Sequence, residues 1–170
     1  MEHTVILGLS INTRMQGLAV ISGDYLIDYH IQLRKEAWTT HKRESILTSL
    51  QPWFERYSIK SIALSIPYEK QTSSQTKELL EALKQYFSRK KIHLSSYPIK
   101  AIYSFYEEAK AKKEIMKSLA MKYPELLFHY HKEMRNKNKY YVKLFEAVGV
   151  ATIHIEKWKG KNKSAFKTGL

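Results

Sequence analysis

The chain has 170 residues, of which 44% are hydrophobic, and it carries 29 Lys and Arg against 16 Asp and Glu. This length suits one domain with a proper core and is short for two. The lack of cysteine excludes disulfides and thiol-based metal or redox chemistry, and no apolar run approaches the roughly 20 residues of a membrane helix. Residues 1–9 lack the long apolar core of a signal peptide, so we expect a cytoplasmic protein with no membrane partner.

The positive charge is concentrated in the second half of the chain. Residues 1–85 carry 10 Lys and Arg with 9 Asp and Glu, whereas residues 86–170 carry 19 with 7. A lysine-rich half beside a neutral half favours a polyanionic partner, most often nucleic acid. The alternative is that the lysine-rich surface serves only to keep the protein soluble. An acidic membrane is disfavoured, because the basic segments lack a strong amphipathic face.

The first predicted elements form an antiparallel meander. A nearly continuous apolar run predicts a strand over residues 4–10, and a polar turn leads to a second strand over 17–22. Gly23 and Asp24 signal a hairpin, after which apolar residues alternate with polar ones from Tyr25 to about Arg34. These three segments predict three consecutive antiparallel strands.

Helices then alternate with two further strands. Apolar periodicity predicts a helix from Ile46 to Tyr57 with an interruption at Pro52, and Thr72 or Ser73 is placed to cap a second helix. We predict strands over 60–66 and 92–97, helices over 107–122 and 140–157, a loop over 132–139 and a basic tail over 158–170. The order indicates one α/β domain, residues 1–157, with an RNase H-like fold: a five-stranded mixed sheet, antiparallel in strands 1–3, with helices on both faces. Another three-layer α/β fold is the alternative.

Several segments, in order, resemble the RuvC-type Holliday-junction resolvases of the RNase H-like superfamily. ILGLSINTRMQGLAVI (6–21) tracks the family's ILGIDPGSRxTGxGVI, and IALSIPYEK (62–70) is similar to its strand ending in Glu-x-x-Phe. YPIKAIYSF (97–105) and AKKEIMKSLAMKYP (111–124) resemble the family's P-x-x-V-K-K and A-x-K-x-x-V-x-x-M-V segments. EAVGVATIH (146–154) parallels DALAIAITH.

The resemblance implies a site of carboxylates that hold two divalent ions for phosphodiester cleavage. In this chain the corresponding positions are Ser10, Ser65, Lys143 and Glu146, of which only Glu146 is acidic. Serine is a poor magnesium ligand and lysine supplies a cation of its own, so we expect no intact catalytic residue, no metal and no cofactor. Lys143 and Glu146 are spaced to form an ion pair, either in place of the metal or as an ordinary surface pair. Mg²⁺ or Mn²⁺ enters only if a rearranged site uses Glu146 and Glu69.

Nucleic-acid contacts are expected from one aromatic and several basic residues. Tyr68 falls at an aromatic that the family places near the junction centre, although a half-buried strand-end tyrosine is the alternative. The basic candidates are Arg14, Lys100, Lys110, Lys112, Lys113, Arg135, Lys137 and Lys139. In the tail, Trp158 and Phe166 lie among five lysines, which suits backbone binding with stacking.

The histidines give only a weak indication of a metal site. His129 and His131 would share a metal only on an extended segment, so a loop or interface role is favoured. His154 is expected to pack or cap at the end of the last helix.

These observations lead to a functional hypothesis with two alternatives. The chain is expected to bind structured nucleic acid, with branched DNA favoured by the resemblance, and to do so without metal-dependent cleavage. The resemblance also implies a homodimer. The first alternative is a structure-selective endonuclease with a rearranged metal site, and the second is a non-catalytic scaffold for protein contacts.

Overall fold

The computed structural model describes the backbone of residues 4–106 and 111–167, and the side chains of these ranges as far as residue 160. Lys110 and the side chain of Phe166, both predicted to contact nucleic acid, therefore lie outside the described residues.

Five strands form one mixed sheet in the order β3-β2-β1-β4-β5. The first three strands pair antiparallel, whereas β4 runs parallel to β1 and β5 runs parallel to β4. The predicted five-stranded sheet and its antiparallel meander are thus confirmed. The strands are β1 (Val5–Ile11), β2 (Met15–Ser22), β3 (Tyr25–Leu33), β4 (Ile59–Ile66) and β5 (His93–Pro98).

Seven α-helices and two short 3₁₀ helices account for most of the remaining described residues. The 3₁₀ helices are Glu69–Gln71 and Pro124–Leu126. The α-helices are α1 (Thr40–Thr48), α2 (Gln51–Arg56), α3 (Ser74–Arg89), α4 (Ile99–Phe105), α5 (Lys112–Lys122), α6 (Leu127–Arg135) and α7 (Val142–Lys167).

The two faces of the sheet carry separate hydrophobic cores. Successive side chains of β1 alternate between the faces, so Ile6 joins the core with α4–α7, whereas Leu7 and Leu9 join the core with α1–α3. All three side chains are fully buried. Burial on both faces explains why β1 is an almost uninterrupted apolar run, and it confirms that helices cover both faces.

Two glycines allow α7 to lie directly on the sheet. A Cβ built on Gly8 would come within 2.1 Å of the Ala147 carbonyl oxygen, and one on Gly17 within 2.2 Å of the Lys143 carbonyl oxygen. Real side chains do not tolerate such distances, so each glycine is required by the close approach of the helix backbone. The first turns of α7 are thereby fixed over the ends of β1 and β2.

Two predicted helix boundaries are confirmed. Helix α1 ends before Pro52 and α2 begins with that proline in its first turn, as the fixed proline φ and missing N–H require. Ser73, rather than Thr72, caps α3, since its Oγ accepts a hydrogen bond from the Thr76 backbone N–H at 3.1 Å.

The predicted loop over 132–139 is wrong in its first half, because α6 continues to Arg135. The physical reason is Glu133, which is fully buried although it lies between Lys132 and Arg135 in the sequence. Its carboxylate accepts hydrogen bonds from the backbone N–H groups of Tyr140, at 2.9 Å, and Tyr141. Glu133 therefore ties α6 to the start of α7.

The last helix is longer than the sequence predicts. It begins at Val142 and continues ten residues beyond Lys157, to Lys167. Lysine is a good helix former and Gly160 does not end the helix, so residues 158–167 of the segment predicted as a basic tail continue α7. The division of the chain at Lys157 stays a prediction. Helix α4 was not predicted, because its seven residues are too few for an apolar period to be recognised.

Candidate functional site

Two neighbouring parallel strands bring two serines together at the end of the sheet where both strands finish. Leu9 of β1 pairs in parallel with Leu64 of β4, so Ser10 and Ser65 follow at the carboxyl ends of neighbouring strands. Both serines are buried, at 1% and 2% exposure. Helix α7 begins above the same end of these strands, and its first turns carry Lys143 and Glu146. The site thus combines strand ends in the middle of the sheet with the start of the longest helix.

Glu146 is the centre of this site. Its side chain is 9% exposed, and its Oε2 accepts hydrogen bonds from Ser10 Oγ at 2.6 Å and from Lys143 Nζ at 3.0 Å. Lys112 Nζ of α5 lies 3.7 Å from the other carboxylate oxygen, Oε1. A buried carboxylate requires compensating charge and hydrogen bonds, and two ammonium groups and a hydroxyl supply them here. The ion pair expected between Lys143 and Glu146 is present.

Ser65 has a different environment. Its buried Oγ has no hydrogen-bond partner among the described residues. The two serines at the positions that the resemblance assigns to carboxylates therefore differ, because Ser10 donates to Glu146 whereas no hydrogen bond links the Ser65 hydroxyl to that network.

The donor set does not fit a divalent metal pair of the kind that the resemblance implies. Magnesium needs several hard oxygen ligands in near-octahedral geometry, and usually more than one carboxylate. Within the described ranges there is no group of three or more His, Asp or Glu side chains placed to hold a metal ion. Both oxygens of Glu146 already face cations. Because ammonium groups repel a divalent ion, this arrangement opposes metal binding.

The other acids considered from the sequence are placed elsewhere. Glu69 lies on the 3₁₀ helix after β4, with its side chain exposed. Asp24 forms an ion pair with Lys159, and Asp28 accepts a hydrogen bond from Tyr57 Oη at 2.6 Å. The two aspartates belong to the hairpin end of β2 and β3, away from the carboxyl end of β1, as expected.

A groove of about 400 Å³ opens beside Glu146. Three cationic side chains line it, those of Arg14, Lys112 and Lys143. Its further lining is Asn12, Thr13, Pro67, Gln71, Thr72, Ser73, Thr76, Ile99, Val142 and Glu146. Cations together with hydroxyl and amide groups are the donors that contact phosphate oxygens in nucleic-acid complexes.

The remaining predicted basic residues are only partly brought together. Lys113 and Lys139 line an adjacent groove that shares Lys112 and Lys143 with the first. The other three lie on separate exposed positions: Lys100 on α4, Arg135 at the end of α6, and Lys137 in the segment after it.

Tyr68 lies immediately after β4 and is 40% exposed. It has a neighbour that sequence reasoning missed, Tyr103 of α4. The pKa of the Tyr103 hydroxyl is raised, first by burial and then by the proximity of Tyr68 and Glu146. Tyr103 therefore stays protonated and neutral at the border of the site. No sequence signal pointed to it, because α4 itself was not predicted.

The histidines contribute no metal site among the described residues. His129 contacts Tyr29, with Nε2 3.2 Å from Oη, and His131 two positions later on α6 is exposed. The helical course of this segment contradicts the extended conformation that shared metal binding would need. His154 is buried between Ser61 Oγ, at 2.9 Å, and Tyr97 Oη, at 2.6 Å, so it packs in the interior. The expected position at the end of the last helix is wrong, because α7 continues to Lys167.

Comparison with solved structures relates this architecture to known proteins. The chain is similar to Thermus thermophilus RuvC in complex with Holliday junction substrate, with a TM-score of 0.70 and 11% identity, over 94% of this chain and 97% of that chain. A second structure of Thermus thermophilus RuvC gives a TM-score of 0.64 and 13% identity, over 87% of this chain and 91% of that one. The fold is of the RuvC type.

The RuvC-type fold extends over nearly the whole chain, because the alignment covers more than nine-tenths of both proteins. At 11–13% identity the likeness concerns the fold alone. No protein-family model and no curated protein matches the sequence. In the part of the chain that the structure describes, no helix combines the length and apolar character needed to cross a membrane.

Proposed function

We propose that this chain binds structured nucleic acid, with branched DNA as the favoured ligand, and that it does so without metal-dependent cleavage. The observation that carries the proposal is the set of contacts made by the Glu146 carboxylate. This carboxylate, the one acid at the positions the resemblance assigns to metal ligands, is held by Ser10 at 2.6 Å and Lys143 at 3.0 Å. If these positions correspond to metal ligands as the resemblance implies, the Lys143 ammonium group takes the place of a metal ion.

Lys143 gives the site a cation of its own. Its side chain is 16% exposed, so the ammonium group is fixed against Glu146 and yet reaches the groove. Arg14 and Lys112 line the same groove. A phosphodiester group in the groove would meet these three cations, and none of these interactions needs a metal.

The charge distribution supports a polyanionic ligand. The second half of the chain, with 19 Lys and Arg against 7 Asp and Glu, supplies α5, α6 and α7. These helices cover one face of the sheet, and α5 and α7 border the groove. A cationic surface of this kind increases the association rate and affinity for nucleic acid, in a manner that depends strongly on salt.

Branched DNA and a homodimer are parts of the proposal that rest on the likeness to RuvC. One of the similar RuvC structures is in complex with Holliday junction substrate. Tyr68, exposed beside the groove, is a suitable group to stack on a base at a branch point. A cytoplasmic location and a contribution of Trp158, 44% exposed on α7, belong to the same proposal.

The proposal is tested by fluorescence anisotropy with a labelled four-way junction and a linear duplex of equal length. Both are titrated in EDTA at low and moderate salt. We expect tighter binding of the junction and weaker binding of both ligands at the higher salt, because phosphate contacts release counterions. Equal and weak binding of the two ligands would contradict branch recognition and leave a generic basic surface.

The same preparation separates the alternatives. Nicking of the junction in Mn²⁺, abolished by Glu146→Gln, would establish an endonuclease. The absence of binding to any nucleic acid would point to a scaffold for protein contacts. A matched pair of variants then tests the groove itself. Arg14→Ala should weaken binding and reduce the slope of log affinity against log salt concentration by about one unit, the value for one phosphate contact. Lys84 is exposed on α3, and Lys84→Ala should change neither the affinity nor the slope.

A further inference from the structure

A second groove lies beside the first and has a different lining. Its volume is about 820 Å³, within the range of about 300–1,000 Å³ that is usual for ligand sites. It shares Asn12, Lys112, Val142 and Lys143 with the groove beside Glu146. Because the two grooves have these walls in common, they adjoin each other.

The floor of the second groove is apolar and rich in methionine. Met15, Met116 and Met134 line it together with Tyr140 and Val142. Met116 is almost fully buried, and Met134 packs against the core from a partly buried position. Methionine side chains adapt their shape and make favourable contacts between sulfur and aromatic rings. This floor suits a flat aromatic group.

The rim of the second groove is cationic. It carries Lys112, Lys113, Lys139 and Lys143, and none of the described residues that line this groove is acidic. Lys139 is held in place, since its Nζ donates to the Glu133 carbonyl oxygen at 3.0 Å. Glu133 also fixes the backbone of Tyr140 through its carboxylate. Part of the rim and part of the floor are therefore positioned by one buried residue.

We infer that this groove binds an unpaired nucleotide, with the base on the methionine floor and the flanking phosphates at the lysine rim. This inference rests on the proposed function and names the form of nucleic acid that the second groove selects. An apolar floor beside a ring of cations matches a ligand that joins a flat aromatic group to an anion at every repeat. Stacking of this kind is tolerant of sequence, because every base presents a π face.

An acidic peptide matches the groove less well. It would satisfy the four lysines with carboxylates, but it would leave the floor of Met15, Met134 and Tyr140 without an aromatic partner unless its sequence happened to supply one. A paired base also does not fit, because its faces are covered by its neighbours in the duplex. A single-stranded segment at a branch, flap or overhang presents both required groups.

The test compares a blunt duplex, the same duplex with a single-stranded overhang, and a four-way junction, all in EDTA. The variant is Met134→Gln, which makes the floor polar while keeping a long unbranched side chain. The matched control is Met121→Gln on α5, where the methionine is 68% exposed and lies outside the groove. An overhang that carries 2-aminopurine reports directly on stacking of the unpaired base.

We expect the overhang to bind more tightly than the blunt duplex and its 2-aminopurine fluorescence to change on binding. Met134→Gln should weaken binding of the overhang about fivefold or more and remove the fluorescence change, whereas Met121→Gln should do neither. Thermal unfolding of each variant verifies that it is folded. Met15→Gln, which alters the floor from β2, replaces Met134→Gln if that variant unfolds.

The outcomes separate the two proposals. If the wild-type protein binds none of the three DNAs, the proposed function fails and this inference fails with it. If it binds the junction but shows no preference for the overhang, or if Met134→Gln equals Met121→Gln, the inference alone is overturned. Displacement of the overhang by polyglutamate as effectively as by a single-stranded oligonucleotide would also overturn it, and would assign the groove to an acidic peptide.

Discussion

Lys143 Nζ and Ser10 Oγ converge on the same carboxylate oxygen of Glu146, at 3.0 Å and 2.6 Å. The three residues come from the first strand and the last helix, 136 positions apart in the case of Ser10 and Glu146. They are held together because α7 lies against β1 and β2 at Gly8 and Gly17. The buried carboxylate of Glu146 is thus compensated by side chains of the chain itself.

Replacing Lys143, the cation of the ion pair with Glu146, should destabilise the fold. Lys143→Met leaves Glu146 buried with only the more distant Lys112 as a compensating charge. We expect the free energy of unfolding in urea to fall by about 1–3 kcal/mol, because a buried charged group loses a partner. Lys117→Met, an exposed lysine on α5, is the matched control and should change stability little.

A double-mutant cycle checks that the loss comes from the pair. Glu146→Gln should cost less in the Lys143→Met background than in the wild-type protein, because the uncompensated charge is removed together with its former partner. Independent, additive effects of the two substitutions would show that Lys143 and Glu146 are not energetically coupled.

The glycine contacts of α7 provide a second prediction. Gly17→Ala would place a methyl group 2.2 Å from the Lys143 carbonyl oxygen, so either α7 or β2 must move. We expect a loss of about 1–3 kcal/mol or more in the free energy of unfolding, as for other overpacked positions. The measurement is urea unfolding followed by circular dichroism.

The matched control for this prediction lies on α7 itself. At Gly149 the nearest atom to a new Cβ is Leu119 Cδ1 at 3.6 Å, an ordinary contact. Gly149→Ala should therefore be neutral or stabilising by up to about 1 kcal/mol, since alanine is the better helix former. If Gly17→Ala were as well tolerated as Gly149→Ala, the close packing of α7 on β2 would be refuted.

The sequence predicted the parts of this architecture that depend on local patterns. The apolar run of β1, the Gly23–Asp24 hairpin and the proline break between α1 and α2 each have a short-range physical signal. The three-residue spacing of Lys143 and Glu146 likewise predicted their ion pair.

The parts of the structure that the sequence did not predict depend on contacts between distant segments. Lys112 reaches Glu146 from α5, and no local pattern specifies how α5 docks on α7. Glu133 lies in a run of charged residues whose composition indicates a solvated loop, yet it is the one that turns inward to bind the backbone of Tyr140. Tyr103 was missed because α4 is too short to show a helical period.

Stability should depend on pH through His129. Burial, and next the nearby Lys132, lower the pKa of its imidazole in the folded protein, and its buried Nδ1 has no hydrogen-bond partner among the described residues. Above the unfolded-state pKa of about 6.5, the ring is neutral in both states. As the pH falls below that value the unfolded state binds the proton more readily, so stability decreases until the folded-state pKa is passed.

His129→Phe isolates this effect. Phenylalanine keeps a ring against Tyr29 and Tyr141 but does not titrate. Thermal unfolding between about pH 7.5 and pH 5 should show a smaller decline for His129→Phe than for the wild-type protein. Parallel pH profiles of the two proteins would mean that other groups account for the acid sensitivity.

Tyr68 tests the proposed contact with a base at a branch point. Tyr68→Ala should weaken binding of a four-way junction by about 1–3 kcal/mol, because one stacking contact is lost, and Tyr68→Phe should retain most of the affinity. Tyr25→Ala is the matched control, since Tyr25 is 77% exposed at the start of β3, far from the groove. Equal effects of the two alanine substitutions would assign Tyr68 a structural role only.

The central claim is that the cation at this site is Lys143 and not a metal ion, and one titration tests it most directly. Binding of a labelled four-way junction is measured in EDTA and again with Mg²⁺ or Mn²⁺ at matched ionic strength, and the DNA is then examined for nicks. The predicted result is the same affinity in both conditions and an intact junction. Binding that requires the divalent ion, or Mn²⁺-dependent nicking that Glu146→Gln abolishes, would contradict the claim.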